Sequence, residues 1–128
     1  MAAFDFRGID HVNITAPEEL MDEVVQWYEV CLGLERLPKP PGTRPGGSWF
    51  QIGRQELHIS IDPHNPPQTA HFGLVVSNFS EVINALREAG VHIEQASDLP
   101  GRHRFYTRDP AGNRLEIAHL DADGPGAS

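Results

Sequence analysis

Apolar and polar residues alternate along Ile9-Asp10-His11-Val12-Asn13-Ile14-Thr15, the period-two pattern of a strand with one buried face. The period then lengthens. From about Pro17 or Glu18 to Leu32, the residues Leu20, Val24, Trp27, Tyr28 and Cys31 recur at helical spacing; acidic residues fill the first turns and Gly33 ends the pattern. Segments near 34–37, 48–52 and 55–61 predict three short strands. The first two are separated by Pro38, Pro40, Pro41, Gly42, Pro45, Gly46 and Gly47, a loop that cannot hold a regular ladder. The same order then recurs. His71 to Val76 reads as a strand, and 79–89 as a helix with Phe79, Val82, Ile83 and Leu86 on one face and Gly90 as its stop. A further strand begins over Val91 to Glu94, and 103–108 and 113–119 form a hairpin about Asp109-Pro110-Ala111-Gly112.

The recurrence is in register. His11 and His71 stand 60 residues apart, Gly33 and Gly90 stand 57 apart, and Leu57-His58-Ile59 precedes Leu115-Glu116-Ile117 by 58. The chain therefore divides into a module over 7–61, a proline-rich linker over 62–69, a second module over 70–120 and a small, acidic tail over 121–128. Each module has one strand, one helix and three further strands. One such unit leaves a sheet face uncovered, so the two must share a core.

Composition narrows the function. A chain of 128 residues with 39% hydrophobic and 22% charged residues supports one folded domain. A net charge of -8 argues against a nucleic-acid partner, and no apolar run reaches the length of a membrane span. The start of the chain has no basic region followed by an apolar run, as a secretory signal would. A single cysteine, Cys31, excludes an intrachain disulfide framework and zinc sites built on paired cysteines; it fits the reducing cytoplasm.

Seven histidines carry the candidate chemistry. His11, His58, His71 and Glu116 each lie in a strand beside apolar neighbours, so alternation points them away from the helix-packed faces. A concave sheet would gather them in a cleft. Three imidazoles and a carboxylate form a ligand set for a borderline divalent ion such as Zn, Ni, Co, Fe or Mn. The alternative is four solvent-facing polar residues on half-buried strands. Arg114 shares the face of Glu116 and, with Arg104, is a candidate partner for a substrate anion; Arg102 and Arg108 are expected in solvent. Trp49, Phe50, Phe105 and Tyr106 are candidates to line the substrate pocket, with core packing as the alternative for Trp49, Phe50 and Phe105. Asp109 and Asn113 read as turn residues, and His64 and His92 as linker and exposed-strand residues. The loop from Pro38 to Gly47 is either a lid or a stiff connector. No phosphate-binding glycine loop or Ser-His-Asp arrangement is present in the sequence.

Several segments together resemble the glyoxalase, bleomycin-resistance and extradiol-dioxygenase superfamily, also called the vicinal oxygen chelate superfamily, over about residues 7 to 120. They are His11-Val12-Asn13-Ile14, Trp27-Tyr28 with Leu32-Gly33-Leu34, His71-Phe72-Gly73-Leu74, and Asp109-Pro110-Ala111-Gly112-Asn113-Arg114-Leu115-Glu116. The resemblance implies an α+β fold of paired βαβββ modules curling into a U-shaped sheet around a metal cleft. It implies His11 and His58 as ligands from the first module and His71 and Glu116 from the second. It also implies a homodimer, with the modules pairing within one chain or across the dimer by exchange.

For activity, the resemblance implies a metal-dependent lyase or isomerase acting on a small oxygen-bearing substrate, with a thiol such as glutathione as a possible partner. In glyoxalase I relatives the metal stabilises an enediolate while a carboxylate moves the proton, which makes Glu116 the candidate catalytic group as well as a ligand. Those relatives commonly carry glutamate where this chain has His58. Glu56, two residues away on the same face, is the alternative ligand. The two-histidine, one-carboxylate set of His11, His71 and Glu116 also resembles that of extradiol dioxygenases and fosfomycin-modifying thiol transferases. Bleomycin-resistance relatives bind a small molecule without catalysis.

Overall fold

In the computed structural model, residues 4–63 and 69–121 are described. The first module opens with β1 (His11–Ala16) and a helix that starts as a short 3-10 turn over Glu18–Leu20 and becomes α1 (Met21–Gln26). β2 (Glu35–Leu37), β3 (Ser48–Ile52) and β4 (Gln55–Ile61) follow. The second module repeats the plan with β5 (His71–Val75), α2 (Phe79–Glu88), β6 (Glu94–Gln95), β7 (Arg102–Arg108) and β8 (Arg114–Leu120). Each module forms a four-stranded mixed sheet, ordered β1-β4-β3-β2 and β5-β8-β7-β6. In each, the first strand pairs in parallel with the last, which is the connection a crossover helix permits, and the rest is antiparallel.

Two local departures from the sequence expectation have physical causes. After α1 the helix widens to π geometry over Trp27–Cys31, with Leu32 N–H donating to the Trp27 carbonyl five residues back at 3.2 Å. Two adjacent large aromatics, Trp27 and Tyr28, both buried, open the widened turn. In the second module, the strand expected from Val91 begins only at Glu94. Val91 N–H caps α2 at the Leu86 carbonyl, and the His92 carbonyl accepts from the Thr107 hydroxyl at 2.7 Å. Val91 and Ile93 turn toward the α2 core instead of joining the ladder.

The larger core gathers Ile14, Val24, Tyr28, Phe50, Leu57 and Ile59 with Leu115 of the second module; the smaller joins Leu86, Phe105 and Ile117 under α2. Leu32, Leu74 and Val91 touch both, so the modules share their apolar interior. Among the described residues no helix is long and apolar enough to cross a membrane. His64, most of the linker and residues 122–128 of the tail lie outside the described residues.

Candidate functional site

Strand register decides which side chains share a face. In the first sheet His11 lies opposite Glu56, and Asn13 opposite His58; in the second His71 lies opposite Arg114, and Gly73 opposite Glu116. His11 therefore matches His71, and His58 matches Glu116 in the pseudo-repeat. Glu56 matches Arg114. Glu56 and His58 share a face, but only His58 stands where Glu116 stands. The neighbouring strand repeats the correspondence, since Trp49 faces His58 across β3–β4 and Tyr106 faces Glu116 across β7–β8. Each polar face thus carries two candidate ligands and one large aromatic.

On the first sheet the rings form a stack. Trp49 lies 3.7 Å from His58 at 5° between planes, and His11 covers the other side at 4.1 Å and 17°. His58 Nε2–H donates to Glu56 Oε1 at 2.9 Å, and His11 Nδ1–H donates to Asp10 Oδ2 at 2.8 Å. His58 is buried; His11 is exposed. A cavity of about 230 Å³ opens beside His58 and Trp49, walled on its far side by Lys39, Thr43 and Arg44 of the proline-rich loop. Lys39 Nζ ties that loop by donating to the carbonyls of Arg44 and Gly46.

On the second sheet His71 Nδ1–H donates to the Thr69 carbonyl at 2.9 Å and meets Tyr106 edge-on, with ring centres 5.2 Å apart. The Arg114 guanidinium lies 3.7 Å over the Tyr106 ring. Glu116 is buried, and Gly73 opposite it leaves room for its carboxylate: a Cβ there would sit 3.3 Å from Oε2. Arg104 Nη1 donates to Glu116 Oε1 at 3.0 Å and to the Tyr106 hydroxyl at 2.7 Å, while Arg102 Nη1 lies 3.6 Å from Oε2. The hydrogen bond to Glu116 chiefly raises the Arg104 pKa above the ordinary guanidinium value, with Tyr106 and the Glu116 charge adding to it.

All three imidazoles give one N–H to a carboxylate or a backbone carbonyl, groups that only accept. In a neutral imidazole so anchored, the other ring nitrogen is the one left with a lone pair, the arrangement a metal-bound histidine requires. The donor set therefore fits a divalent ion in kind. It does not converge within one chain: among the described residues no three His, Cys, Asp or Glu side chains could hold one ion together.

The remaining sequence candidates divide by strand parity. Trp49, Tyr106, Arg104 and Arg114 are on the polar faces. Phe50 and Phe105 are enclosed in the two cores, because the alternation that turns Trp49 and Tyr106 outward turns their neighbours against the helices. They pack the cores. Arg102, expected in solvent, reaches Glu116; its two-residue spacing from Arg104 puts it on the same face of β7 but does not by itself select that contact. Asn13, Lys39 and Arg44 border the first face without having been anticipated. His103 and His119 lie on the α2 side of the second sheet, away from Glu116, with His103 donating to Asp98 at 3.0 Å.

The family model described as Glyoxalase/Bleomycin resistance protein/Dioxygenase superfamily matches residues 8–117. A crystal structure assigned to the glyoxalase family, from Bacillus anthracis, is 34% identical, covers 94% of this chain and 100% of its own, and superposes with a TM-score of 0.86. That of lactoylglutathione lyase from Agrobacterium tumefaciens is 25% identical, with coverage of 88% and 92% and a TM-score of 0.68. The uncharacterized Pseudomonas aeruginosa protein PA2024 is 26% identical over 132 residues, 93% of each chain.

Proposed function

Because the chain belongs to the glyoxalase/bleomycin resistance protein/dioxygenase superfamily, we propose that it is a metal-dependent lyase or isomerase of a small, anionic, oxygen-bearing substrate. The observation that carries this reading is the equivalence of His11 with His71 and of His58 with Glu116, each pair flanked by an aromatic at the same register position. These four residues would hold the divalent ion, which when bound supplies a Lewis acid for the substrate's oxygens. Since the two pairs do not meet within one chain, the complete set requires the first face of one protomer and the second face of its partner in a homodimer.

The chain's own residues supply the rest. Asp10, Glu56 and the Thr69 carbonyl fix the three imidazoles in one tautomer and orientation. Arg114, with its guanidinium 3.7 Å over the Tyr106 ring, presents a cation to a substrate carboxylate. Glu116 is the group positioned to carry a proton between adjacent substrate carbons once it is released from its arginines. The loop carrying Lys39 and Arg44 borders one side of the first face. The likeness to a lactoylglutathione lyase supports lyase chemistry on a substrate built from a glutathione-like thiol.

The test is elemental analysis of the purified protein with His11→Ala, His58→Ala, His71→Ala and Glu116→Ala. About one divalent ion per chain, lost in each variant, is the expected outcome. Nickel, cobalt or zinc directs the assay to hemithioacetal isomerisation, and iron to catechols under air. A protein that takes up no metal after reconstitution overturns this reading and is better sought as a small-molecule binder.

A further inference from the structure

Glu116 differs from the three histidines in its neighbours. Each imidazole has its spare N–H anchored and its other nitrogen available, whereas both Glu116 oxygens already face a guanidinium: Arg104 Nη1 at 3.0 Å on Oε1 and Arg102 Nη1 at 3.6 Å on Oε2. The carboxylate is largely enclosed, with 10% of its side chain exposed, and Arg104 is 18% exposed. Arg104 is braced there by the Tyr106 hydroxyl at 2.7 Å and by the Ser97 carbonyl, which accepts from Nε at 3.1 Å. The matching position on the first sheet has the opposite surroundings, for His58 sits beside the carboxylate of Glu56.

We infer that Arg104 is a positioning residue that occupies the cation's place on Glu116, so that arginine pairing and divalent metal binding oppose one another at this carboxylate. This rests on the metal-dependent reading above. For the ion to take Oε1, Arg104 must turn away, and a substrate carboxylate is a natural acceptor for its released guanidinium. Binding of the anionic substrate then frees Glu116, and metal and substrate strengthen each other's binding. The face selects carboxylate-bearing substrates in this way, because a neutral analogue leaves Arg104 on Glu116.

The test is calorimetric titration of the full-length apoprotein with Co(II), for the wild type, Arg104→Gln, Arg102→Gln, Arg104→Lys and Glu116→Gln. A neighbouring charge changes a carboxylate's proton affinity about 10- to 1000-fold, and a divalent ion should respond at least at the lower end of that range. Arg104→Gln is therefore expected to tighten Co(II) binding at least about tenfold, with Arg102→Gln acting in the same direction more weakly because Arg102 is farther from its oxygen. Arg104→Lys keeps the positive charge and should stay near the wild type, and Glu116→Gln should weaken binding. Equal or weaker binding by both arginine-to-glutamine variants, in a wild type that binds Co(II), overturns the inference and leaves the metal reading standing. Co(II) bound by none of the proteins overturns the metal reading itself, and this inference with it.

Discussion

The Tyr28 hydroxyl donates a 2.7 Å hydrogen bond to Oδ2 of Asp109, 81 residues away in the chain, and so joins the helix of the first module to the closing hairpin of the second. Asn113 extends the clasp: its Nδ2 donates to Asp109 Oδ2 at 2.8 Å and to the Thr15 carbonyl at 2.9 Å. The other oxygen of Asp109 accepts from the backbone N–H groups of Ala111 and Asn113, holding the turn that places Glu116 in β8. The Asp-Pro-Ala-Gly-Asn segment therefore acts on the site by position. It fixes one module against the other through the sides of the sheets that carry no candidate ligand.

Removing the Tyr28 hydroxyl leaves Asp109 without one of its donors in a buried place. A hydrogen bond to a charged group contributes about 1.5–3 kcal/mol, so Tyr28→Phe should lower unfolding stability by that order in urea titrations at neutral pH. The pH dependence has a definite sign. Burial, followed by the Asp109 charge and hydrogen bond, raises the Tyr28 pKa well above its ordinary value. The unfolded phenol thus loses its proton at lower pH than the folded one, and stability falls as pH rises past about 10. Tyr28→Phe should remove that part of the decline, and an unchanged alkaline slope would show that Tyr28 does not cause it.

Gly47 closes the proline-rich loop onto β4 with φ of 72°, and a Cβ there would lie 1.9 Å from the Ile59 carbonyl oxygen. Backbone at both ends of the clash leaves no flexible side chain to yield. Gly47→Ala should cost about 3 kcal/mol or more from the disfavoured backbone and the overlap together. Gly42, also at positive φ (90°) but with nothing within 4 Å of its added Cβ, is the control: Gly42→Ala should cost about 1 kcal/mol. Thermal unfolding of the two variants separates steric overlap from conformational strain.

The modules and their faces were legible in the sequence because period-two alternation leaves little freedom. Once Leu57 and Ile59 are buried, His58 must face the other way, and the same holds for Glu116 between Leu115 and Ile117. The choice between His58 and Glu56 was open because both lie on one face; the register against β1 shows which of them matches Glu116. Three features lay beyond local pattern. The π turn holds Trp27 and Tyr28 in the buried interior, and the strand is lost where the His92 carbonyl accepts from the hydroxyl of Thr107, fifteen residues on. The pairing of Glu116 with Arg102 and Arg104 depends on where long side chains settle across a sheet, which alternation allows but does not select.

Arg114 offers a test of anion recognition that leaves the candidate ligands intact. Its guanidinium lies on Tyr106 and reaches the Glu94 carboxylate at 3.9 Å, with 15% of its side chain exposed. A planar, stacked cation binds a carboxylate through two parallel hydrogen bonds, which an ammonium cannot reproduce. Arg114→Ala should raise KM for a carboxylate-bearing substrate about tenfold or more with little change in kcat, and Arg114→Lys should recover only part of the loss. A fall in kcat at constant KM would assign Arg114 to the chemical step.

The division of the four candidate ligands between two sheets makes a prediction about subunits. Leu115 enters the core of the first module, and Asp109 and Asn113 clasp its helix and first strand, so the modules of one chain pack through their helix-bearing sides. The pairs His11 with His58 and His71 with Glu116 do not come together there. A site joining the first face of one protomer to the second face of its partner can be rebuilt from two defective chains. One chain would carry His11→Ala with His58→Ala, and the other His71→Ala with Glu116→Ala; each alone should bind no metal. Unfolding and refolding them as an equal mixture makes half of the dimers mixed by random pairing. Each mixed dimer holds one intact site of two, giving about a quarter of the wild-type metal content and activity. Sites formed within one chain would stay broken in every combination, so a mixture with no recovered metal would assign both halves of the site to a single chain.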